Sequence, residues 1–280
     1  MDYEERLSNI KVCFFDLDGC VYHGSRLSPG VIPLLAELRQ RAIRFAFLTN
    51  NSRLRAPDIG ARLAAMGLNV AARSIVSVTD IAGAYIRDKF GRVTVKTIGS
   101  DGLARSIEEA GHTAVAWDGP SPDVVIVGRD TEFHYGKLQQ IAADIGRGAR
   151  LIAANPDRYH PGASGERIPE TGALLAAIEA ITGGTAECIG KPEPYIFEHG
   201  MKLFGAAPEH CVMVGDNPDT DIAGSIRAGL KSVWITNETA DGHPDSMPEW
   251  SPDWPRPDIA LSSIEQFYRL VASGVLQSAN

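Results

Sequence analysis

The sequence has few cysteines and no paired cysteine motif. Four cysteines occur in 280 residues, and none of them forms a CxxC pair. Cys13 and Cys211 lie inside apolar runs that resemble strands, whereas Cys20 and Cys188 lie near turns. A disulfide framework or a cysteine zinc site needs clustered or regularly spaced cysteines. The pattern therefore predicts isolated, reduced thiols and neither kind of cross-link.

Long apolar runs and blocks of like charge are also absent. No segment approaches the ~20 apolar residues that a helix needs to cross a bilayer. The N-terminus, MDYEERLSNI, carries acidic residues where a signal peptide has basic and then apolar ones. The net charge of −8 is spread along the chain, which argues against a nucleic acid polymer as partner. We therefore expect a cytoplasmic protein that binds neither membranes nor nucleic acid.

What the sequence does contain is a regular alternation of strand and helix patterns. The strand-like KVCFF precedes a helical pattern, and the strand-like IRFAFLT comes next. The helical spacing is carried by Ile32, Leu35, Leu38 and Ala42. The same order returns near the C-terminus as CVMVG, TDIAGSIRAG and KSVWIT. Such alternation predicts an α/β fold, with a Rossmann-like, doubly wound parallel sheet as its core.

A further complete series of strands and helices lies between these two parts of the chain. It predicts a second α/β domain inserted into the first. We expect residues 1–80 and 187–280 to form the Rossmann-like core, and residues 81–186 to form the inserted domain. The segment Glu238–Asp258, rich in proline, aspartate and tryptophan, predicts a long irregular loop.

Polar side chains follow the predicted core strands at the points where those strands end. In parallel α/β sheets, ligands bind at the carboxyl ends of the strands. The residues at these positions are Asp16, Asp18, Thr49, Asn50, Asn51, Gly190, Lys191, Asp216, Asn217, Asp219 and Asp221. We therefore expect four separate polar clusters to lie at one edge of the sheet.

The acidic members of this set suit metal-assisted phosphoryl transfer. Mg²⁺ prefers oxygen ligands and keeps several waters, so Asp16, Asp216 and the carbonyl of Asp18 are a sufficient protein contribution. An aspartate such as Asp16 can also attack phosphorus and form an aspartyl phosphate. The neighbouring Asp18 is suited to protonate the leaving oxygen and then to activate water.

The remaining members suit the transferring phosphoryl group. Negative charge develops on its equatorial oxygens, which hydroxyl, main-chain N–H and ammonium donors stabilise. Thr49, the amide of Asn50, and Lys191 supply these three kinds of donor. Each cluster alone has an ordinary structural explanation, as a turn, a helix cap or a solvated loop. Their order and their matched strand-end positions together favour catalysis.

Four segments resemble the motifs of one known superfamily. DLDGCVYHG, FLTNNS, IGKPEP and VGDNPDTDIAGSIRAG are similar to the four motifs of the haloacid dehalogenase-like superfamily. The similarity extends to the large α/β cap of the subfamily that contains nitrophenylphosphatases and nucleotide/UMP phosphatases. The resemblance implies a Mg²⁺-dependent phosphatase of small phosphomonoesters that forms an aspartyl phosphate.

The resemblance also implies roles for individual residues. It assigns the nucleophile to Asp16, the acid and base to Asp18, phosphate binding to Thr49 and Lys191, and metal binding to Asp16, Asp216 and the carbonyl of Asp18. We also expect Lys191 to take part in catalysis, Asn50 and Asn51 to bind phosphate, and Asp221 to belong to the metal site. Asp221 would support the metal through water or Lys191 through a salt bridge. Cys20 and the turn Glu170-Thr171-Gly172 depart from the usual family pattern, so the resemblance does not assign a particular substrate.

The predicted cap is the part expected to select the substrate. Its loop Asn155–Pro169 contains a polar selection of side chains, of which Arg158 is the predicted contact to the leaving group. Ordinary surface solvation explains these side chains equally well. The expected partner is a small phosphomonoester, and a homodimer formed through the cap is left open.

Two other functions remain as alternatives at this point. A receiver-type signalling protein also surrounds a phosphorylated aspartate with strand-end acids, a threonine and a lysine. A dehalogenase on the same fold uses one aspartate against carbon and needs no metal. The DxD spacing and the inserted domain argue against the receiver, whereas Asp18 and the acidic loop GDNPDTD favour phosphorus over carbon. Fold alone does not separate the three.

Overall fold

The computed structural model of the chain describes residues 3–161, 166–237 and 254–276. The chain forms two compact units. The first comprises Met1–Thr49, Gly60–Val76 and Pro192–Asn280, and the second comprises Asn50–Ile59 and Ser77–Lys191. The limits 81–186 for an inserted domain stay a prediction.

Strands and helices alternate along the chain. The N-terminal part contains α1 (Tyr3–Arg6), β1 (Val12–Phe15), β2 (Tyr22–His23), β3 (Arg26–Leu27), α2 (Val31–Gln40), β4 (Arg44–Thr49), α3 (Ala56–Ala65) and β5 (Ile75–Ser77). The middle part contains α4 (Val78–Phe90), β6 (Thr94–Ile98), α5 (Asp101–Glu109), β7 (Thr113–Val115), β8 (Val124–Val127), α6 (Tyr135–Gly146), β9 (Arg150–Ala153), β10 (Tyr159–Pro161), β11 (Arg167–Pro169), α7 (Thr171–Thr182) and β12 (Glu187–Cys188). The C-terminal part contains α8 (Pro194–Phe204), β13 (Cys211–Gly215), α9 (Ala223–Arg227), β14 (Lys231–Ile235), β15 (Ile259–Leu261) and α10 (Ile264–Ala272).

The first unit is built on a six-stranded sheet with the order β15-β14-β13-β1-β4-β5. β1 pairs in parallel with both β13 and β4. From β1 the sheet extends through β4 to β5 on one side, and through β13 to β14 and β15 on the other. The strand order therefore reverses between β1 and β13. Such a reversal is where open α/β sheets bind their ligands.

Alternating side chains of β1 show that helices cover both faces of this sheet. The ring of Phe14 lies 6.2 Å from that of Phe204 in α8. The next residue, Phe15, points to the other face, where its ring lies 6.3 Å from that of Phe267 in α10. Successive strand residues point to opposite faces, so this sheet is doubly wound. The predicted fold class is confirmed.

Two details of the predicted α2 are wrong. The helix exists, but Ile32 is 54% exposed rather than buried, and Ala42 lies beyond the helix end and is exposed. The buried residues are Val31, Leu34, Leu35 and Leu38. These occupy positions i, i+3, i+4 and i+7, which form one stripe of an α-helix, and Ile32 lies about 100° away from the first of them.

The second unit has its own parallel sheet, with the order β12-β9-β8-β6-β7. α6 and α7 pack against it around a buried apolar cluster that includes Ile98, Val125, Ile141, Leu175 and Ile178. The predicted strands and helices of this region are present. α4 is a helix that the alternation did not predict, and Ser77 caps it by accepting a hydrogen bond from the backbone N–H of Asp80.

Two predicted irregular segments have different outcomes. The segment Asn155–Pro169, expected to be a loop, contains a short antiparallel hairpin in which β10 pairs with β11. Its strands have three residues and contain proline, so their pattern is typical of a loop rather than a strand. The predicted loop Glu238–Asp258 lies outside the described residues up to position 253.

The predicted helix TDIAGSIRAG does not begin as an α-helix. Its first turn is a π-helical turn, Pro218–Ile222, and α9 follows directly. The Asn217 side chain caps the turn by accepting hydrogen bonds from the backbone N–H groups of Asp219 and Thr220. Separately, no helix in the described ranges of the chain has the length and apolar character required to span a membrane.

Candidate active site

Three carboxylates meet at the sheet edge where the strand order reverses. Asp16 follows β1, Asp216 follows β13, and Asp221 lies in the π-helical turn. One carboxylate oxygen of each lies within 4.8 Å of the others. Asp16 and Asp221 are buried, and Asp216 is half-buried. Ionised carboxylates this close repel one another, and a bound cation would offset this repulsion.

Two glycines allow the carboxylates to approach the backbone. A Cβ added to Gly19 would lie 2.2 Å from Oδ2 of Asp216, and Gly19 has a φ of +88°. A Cβ added to Gly215 would lie 2.2 Å from Oδ2 of Asp221. No side chain fits at either position while the two carboxylates keep their places. The glycines therefore form part of the acidic cluster.

Hydrogen bonds fix the backbone and side chains around the cluster. The backbone N–H of Asn217 donates to Oδ2 of Asp221 at 3.1 Å. The buried Trp234 donates its indole N–H to the carbonyl of Asp216 at 2.9 Å. Asn237, which follows β14, donates from its side-chain amide to the carbonyl of Gly19 at 2.8 Å. Residues at or just after the ends of β13 and β14 thus form hydrogen bonds to two loops: the one after β1, which contains Asp16 and Gly19, and the one after β13, which contains Asp216 and Asp221.

The donor set fits a hard divalent cation. All three side chains offer carboxylate oxygen, whereas zinc and copper sites use histidine or cysteine. Mg²⁺ is bound through few carboxylates and retains waters, which suits a half-buried cluster of this size. Asp16, Asp216 and Asp221 are thus the residues that would hold such an ion.

Asp18 follows Asp16 by two residues, but its carboxylate is not among the three clustered side chains. Its residue is exposed. Oδ2 of Asp18 accepts a hydrogen bond of 2.7 Å from the hydroxyl of Tyr22. Burial and the neighbouring Asp18 raise the pKa of Tyr22, so this hydroxyl stays protonated and acts as a donor.

Thr49 ends β4, the strand next to β1 in the first unit. Because β1 and β4 are parallel, their carboxyl ends lie at the same edge of the sheet. The side chain of Thr49 is buried. The structure therefore brings a hydroxyl-bearing residue to the edge that carries Asp16.

Asn50 and Lys191 are joined to each other within the second unit. Asn50 accepts a 2.8 Å hydrogen bond from the backbone N–H of Lys191 and donates one of 2.9 Å to its carbonyl. A Cβ on Gly190 would lie 2.5 Å from Oδ1 of Asn50, so a larger residue there would disrupt this pair. The buried Asn155 donates to the carbonyl of Asn50 at 2.6 Å. The Asn50 side chain thus holds the backbone from which Lys191 projects.

The two other predicted phosphate or substrate ligands have different surroundings. Oδ1 of Asn51 accepts hydrogen bonds from the backbone N–H groups of Arg53 and Leu54, as in a simple capped turn. Arg158 is exposed on the segment that leads into β10. Its carbonyl accepts a 3.0 Å hydrogen bond from the backbone N–H of Glu170. Neither placement tests the predicted role.

Comparisons with known proteins show which family the chain belongs to. Residues 13–113 match the model of the family described as haloacid dehalogenase-like hydrolase. Residues 188–262 match a second model of related hydrolases. Human chronophin is 34% identical over 234 residues, which cover 78% of each chain. The ribonucleotide monophosphatase NagD of Escherichia coli is 30% identical over 252 residues, or 90% of this chain and 97% of NagD.

The chain belongs to the haloacid dehalogenase-like hydrolases. A solved member of this family, the 4-nitrophenylphosphatase of Thermotoga maritima, has 30% sequence identity and a TM-score of 0.84, over 95% of this chain and 98% of its own. The relatives named here for an activity are phosphatases. Among haloacid dehalogenase-like hydrolases the chain is therefore a phosphatase-type enzyme, which favours neither the receiver nor the dehalogenase alternative.

Several residues around the candidate site of this chain were not predicted from the sequence. Tyr22 and Trp234 resemble ordinary core aromatics in the sequence, because nothing in a strand pattern reveals which backbone or carboxylate oxygen a buried ring will reach. Gly19 and Gly215 had a weak signal, since each directly adjoins a motif aspartate. The approach of Asp216 to Gly19 depends on the pairing of β1 with β13, and that of Asp221 to Gly215 depends on the π-helical turn.

Proposed function

We propose that the chain hydrolyses small phosphomonoesters in a Mg²⁺-dependent reaction that passes through an aspartyl phosphate on Asp16. The clustering of Asp16, Asp216 and Asp221 at the strand-order reversal is the observation that carries this proposal. The phosphatase relatives also support it. A cluster of carboxylate oxygens suits Mg²⁺, the metal ion that commonly assists phosphoryl transfer.

Asp16 is the nucleophile of the first step. One of its carboxylate oxygens attacks phosphorus, the bond from phosphorus to the ester oxygen breaks, and that oxygen takes a proton from Asp18 and leaves as an alcohol. In the second step water attacks the same phosphorus and gives a proton to Asp18. The bond from phosphorus to Asp16 then breaks, which releases inorganic phosphate and restores both aspartates.

The phosphoryl group itself is held by neutral and positive donors. Thr49 offers a hydroxyl, Asn50 a main-chain N–H, and Lys191 an ammonium group. The hydrogen bonds between Asn50 and the backbone of Lys191 restrict the movement of the lysine backbone, and this supports a fixed position for its side chain. A fixed donor stabilises charge that develops in the transition state without reorganising first.

Asp16, Asp216 and Asp221 would hold the metal ion, with the carbonyl of Asp18 as a further oxygen ligand. When bound, Mg²⁺ offsets negative charge on the phosphoryl oxygens and on the clustered carboxylates. The remaining catalytic work belongs to the side chains of the chain itself.

We assign substrate selection to the region 81–186, which we propose acts as a cap. Covering a sheet-edge site excludes water and adds contacts to the leaving group. NagD is named for ribonucleotide monophosphates and the Thermotoga enzyme for 4-nitrophenyl phosphate. Small phosphomonoesters of this general kind are therefore the substrate class that we propose.

A metal-dependence assay on a panel of phosphomonoesters tests the proposal. The panel contains an aryl phosphate, nucleoside monophosphates and sugar phosphates, each assayed in chelator and after addition of Mg²⁺. We expect activity only with Mg²⁺, and we expect Asp216→Asn to need much more Mg²⁺ for half-maximal rate. Full activity in chelator would contradict the metal-dependent mechanism.

Two aspartate variants divide the chemical roles. Asp16→Asn removes the nucleophile and should abolish turnover. Asp18→Asn leaves the nucleophile in place but removes the acid and base, so turnover of an alkyl phosphate should fall by on the order of 10²-fold or more. Substantial activity in Asp16→Asn would show that another group attacks phosphorus.

A further inference from the structure

We propose that Tyr22 is a positioning residue for Asp18, and that Arg62 in turn holds Tyr22 in place. This inference rests on the proposed role of Asp18 as acid and base. It adds to that role a physical reason why an exposed carboxylate adopts one orientation. The three residues all belong to the first compact unit.

The hydrogen bond between Tyr22 and Asp18 is the main observation. The hydroxyl of Tyr22 lies 2.7 Å from Oδ2 of Asp18, although the tyrosine residue is only 2% exposed. Asp18 itself is exposed. Within the described ranges, no other side chain forms a hydrogen bond or salt bridge with the Asp18 carboxylate. Tyr22 thus occupies one carboxylate oxygen and leaves the other for the ester oxygen or water.

The backbone between the two residues is tightly folded, which keeps the two side chains close. Gly19 donates its N–H to the carbonyl of Tyr22 at 2.9 Å. Val21 and Tyr22 both donate to the carbonyl of Leu17, at 2.9 and 3.0 Å. An exposed aspartate on an open loop samples several side-chain rotamers. Here the loop geometry and one hydrogen bond together select a single orientation.

Arg62 secures the ring of Tyr22 from α3. Its guanidinium carbon lies 4.8 Å from the centroid of the Tyr22 ring, and its Nη2 donates to the carbonyl of Gly24 at 3.0 Å. Tyr22 belongs to a hairpin of only two residues in each strand, and so short a hairpin is not stable alone. Cation–π contact and the hydrogen bond to Gly24 therefore attach both the ring and the turn of this hairpin to a helix.

An alternative explanation is that Asp18 merely satisfies a buried tyrosine hydroxyl, as many polar groups do. The two explanations differ in the step that they affect. If Tyr22 orients the acid, its hydroxyl matters when the leaving group needs a proton. If it serves only stability, its loss affects all substrates equally.

Tyr22→Phe distinguishes the two explanations, because it keeps the ring and deletes only the hydroxyl. The readout is the ratio of kcat/KM for an alkyl phosphate to kcat/KM for 4-nitrophenyl phosphate, whose leaving group departs without a proton. kcat/KM reports the steps up to leaving-group departure. Asp18 gains negative charge as it gives its proton to the leaving oxygen, and the Tyr22 hydroxyl stabilises that developing charge. Because a hydrogen bond to a charged group contributes more than one between neutral groups, we expect this ratio to fall about 10- to 100-fold.

Two further variants complete the experiment. Tyr268→Phe deletes a hydroxyl elsewhere in the first unit, on α10, and should leave the ratio unchanged. Arg62→Gln alters an exposed side chain, so folding is preserved, and it should lower the ratio in the same direction but by less. Inhibition by inorganic phosphate should remain at the wild-type value in all three variants.

The outcomes separate this inference from the proposed function. If Asp18→Asn lowers the ratio and Tyr22→Phe does not, Tyr22 has no positioning role while Asp18 keeps its catalytic one. If Asp18→Asn itself leaves the ratio unchanged, the acid role of Asp18 fails and the inference fails with it. Support requires that Tyr22→Phe lowers the ratio in the wild-type background and has no further effect in Asp18→Asn.

Discussion

Replacing Gly215 with alanine should disrupt the proposed metal site while leaving the fold in place. Gly215 ends β13 directly before Asp216, and it packs against Asp221. The added Cβ would lie 2.2 Å from Oδ2, 2.4 Å from Cγ and 2.6 Å from Cβ of Asp221. The whole end of the aspartate side chain is thus in the way, rather than one flexible atom.

The size of the effect follows from these distances. Real Cβ atoms essentially never lie closer than 3.0 Å to such atoms, so Asp221 or the strand must move by at least about 0.8 Å. Asp221 is fully buried, so its side chain cannot move aside into solvent. Overpacking of this kind costs about 1–3 kcal/mol of stability. A displaced carboxylate at a metal site lowers metal affinity by about 10- to 100-fold.

Titration of Mg²⁺ by calorimetry, together with thermal denaturation in chelator, measures the two effects separately. Gly60→Ala in α3 is the matched control, because its new Cβ would meet only Ile75 Cδ1, at an ordinary 3.7 Å. An alanine inside a helix should stabilise the protein by up to about 1 kcal/mol. Wild-type Mg²⁺ affinity in Gly215→Ala would refute the account of how the cluster is assembled.

Three more predictions concern stability, thiol reactivity and specificity. Lys96 and Asp144 form a fully buried 2.5 Å ion pair, so Lys96→Met should lower the free energy of unfolding by about 3–5 kcal/mol, measured by thermal denaturation. The double variant Lys96→Met/Asp144→Leu should regain much of this lost stability, because it leaves no buried charge without a partner. Cys188 is the one partly exposed cysteine, whereas burial raises the pKa of Cys211 to about 11, so mass spectrometry should find one alkylated thiol per native chain, at Cys188. Arg158→Ala should lower kcat/KM for the best phosphomonoester relative to an aryl phosphate by about 5- to 150-fold; an unchanged ratio would identify Arg158 as a surface residue.

The residues at the strand ends could be predicted from the sequence, because the carboxyl ends of parallel strands lie at one edge of the sheet. Asp16, Thr49 and Asp216 each directly follow or end an apolar run, and parallel strands bring such positions to one edge. The α/β architecture was predictable for the same reason, since helix and strand periods differ clearly. Which distant residue a single side chain contacts was not predictable, as the two hydrogen bonds between Asn50 and Lys191, 141 positions apart, illustrate.

Short elements were the main source of error. β10 and β11 have three residues each, which is too few to show an alternating polar and apolar pattern, and each contains a proline, which argues against a strand. The π-helical turn before α9 has a helix-like sequence, and its extra residue per turn depends on the cap from Asn217 and on the place of Asp221 beside Gly215. Tertiary contacts rather than local preference determine these segments.

Trapping of the phosphorylated enzyme tests the central claim most directly. The Asp18→Asn variant is mixed with an aryl phosphate, whose leaving group needs no proton, and the reaction is stopped with acid within one turnover. Because the second step lacks its base, peptide mass spectrometry should find one phosphoryl group per chain, attached to Asp16, and none in Asp16→Asn. A phosphoryl group on any other residue, or no phosphoenzyme while product still forms in a burst, would contradict the mechanism.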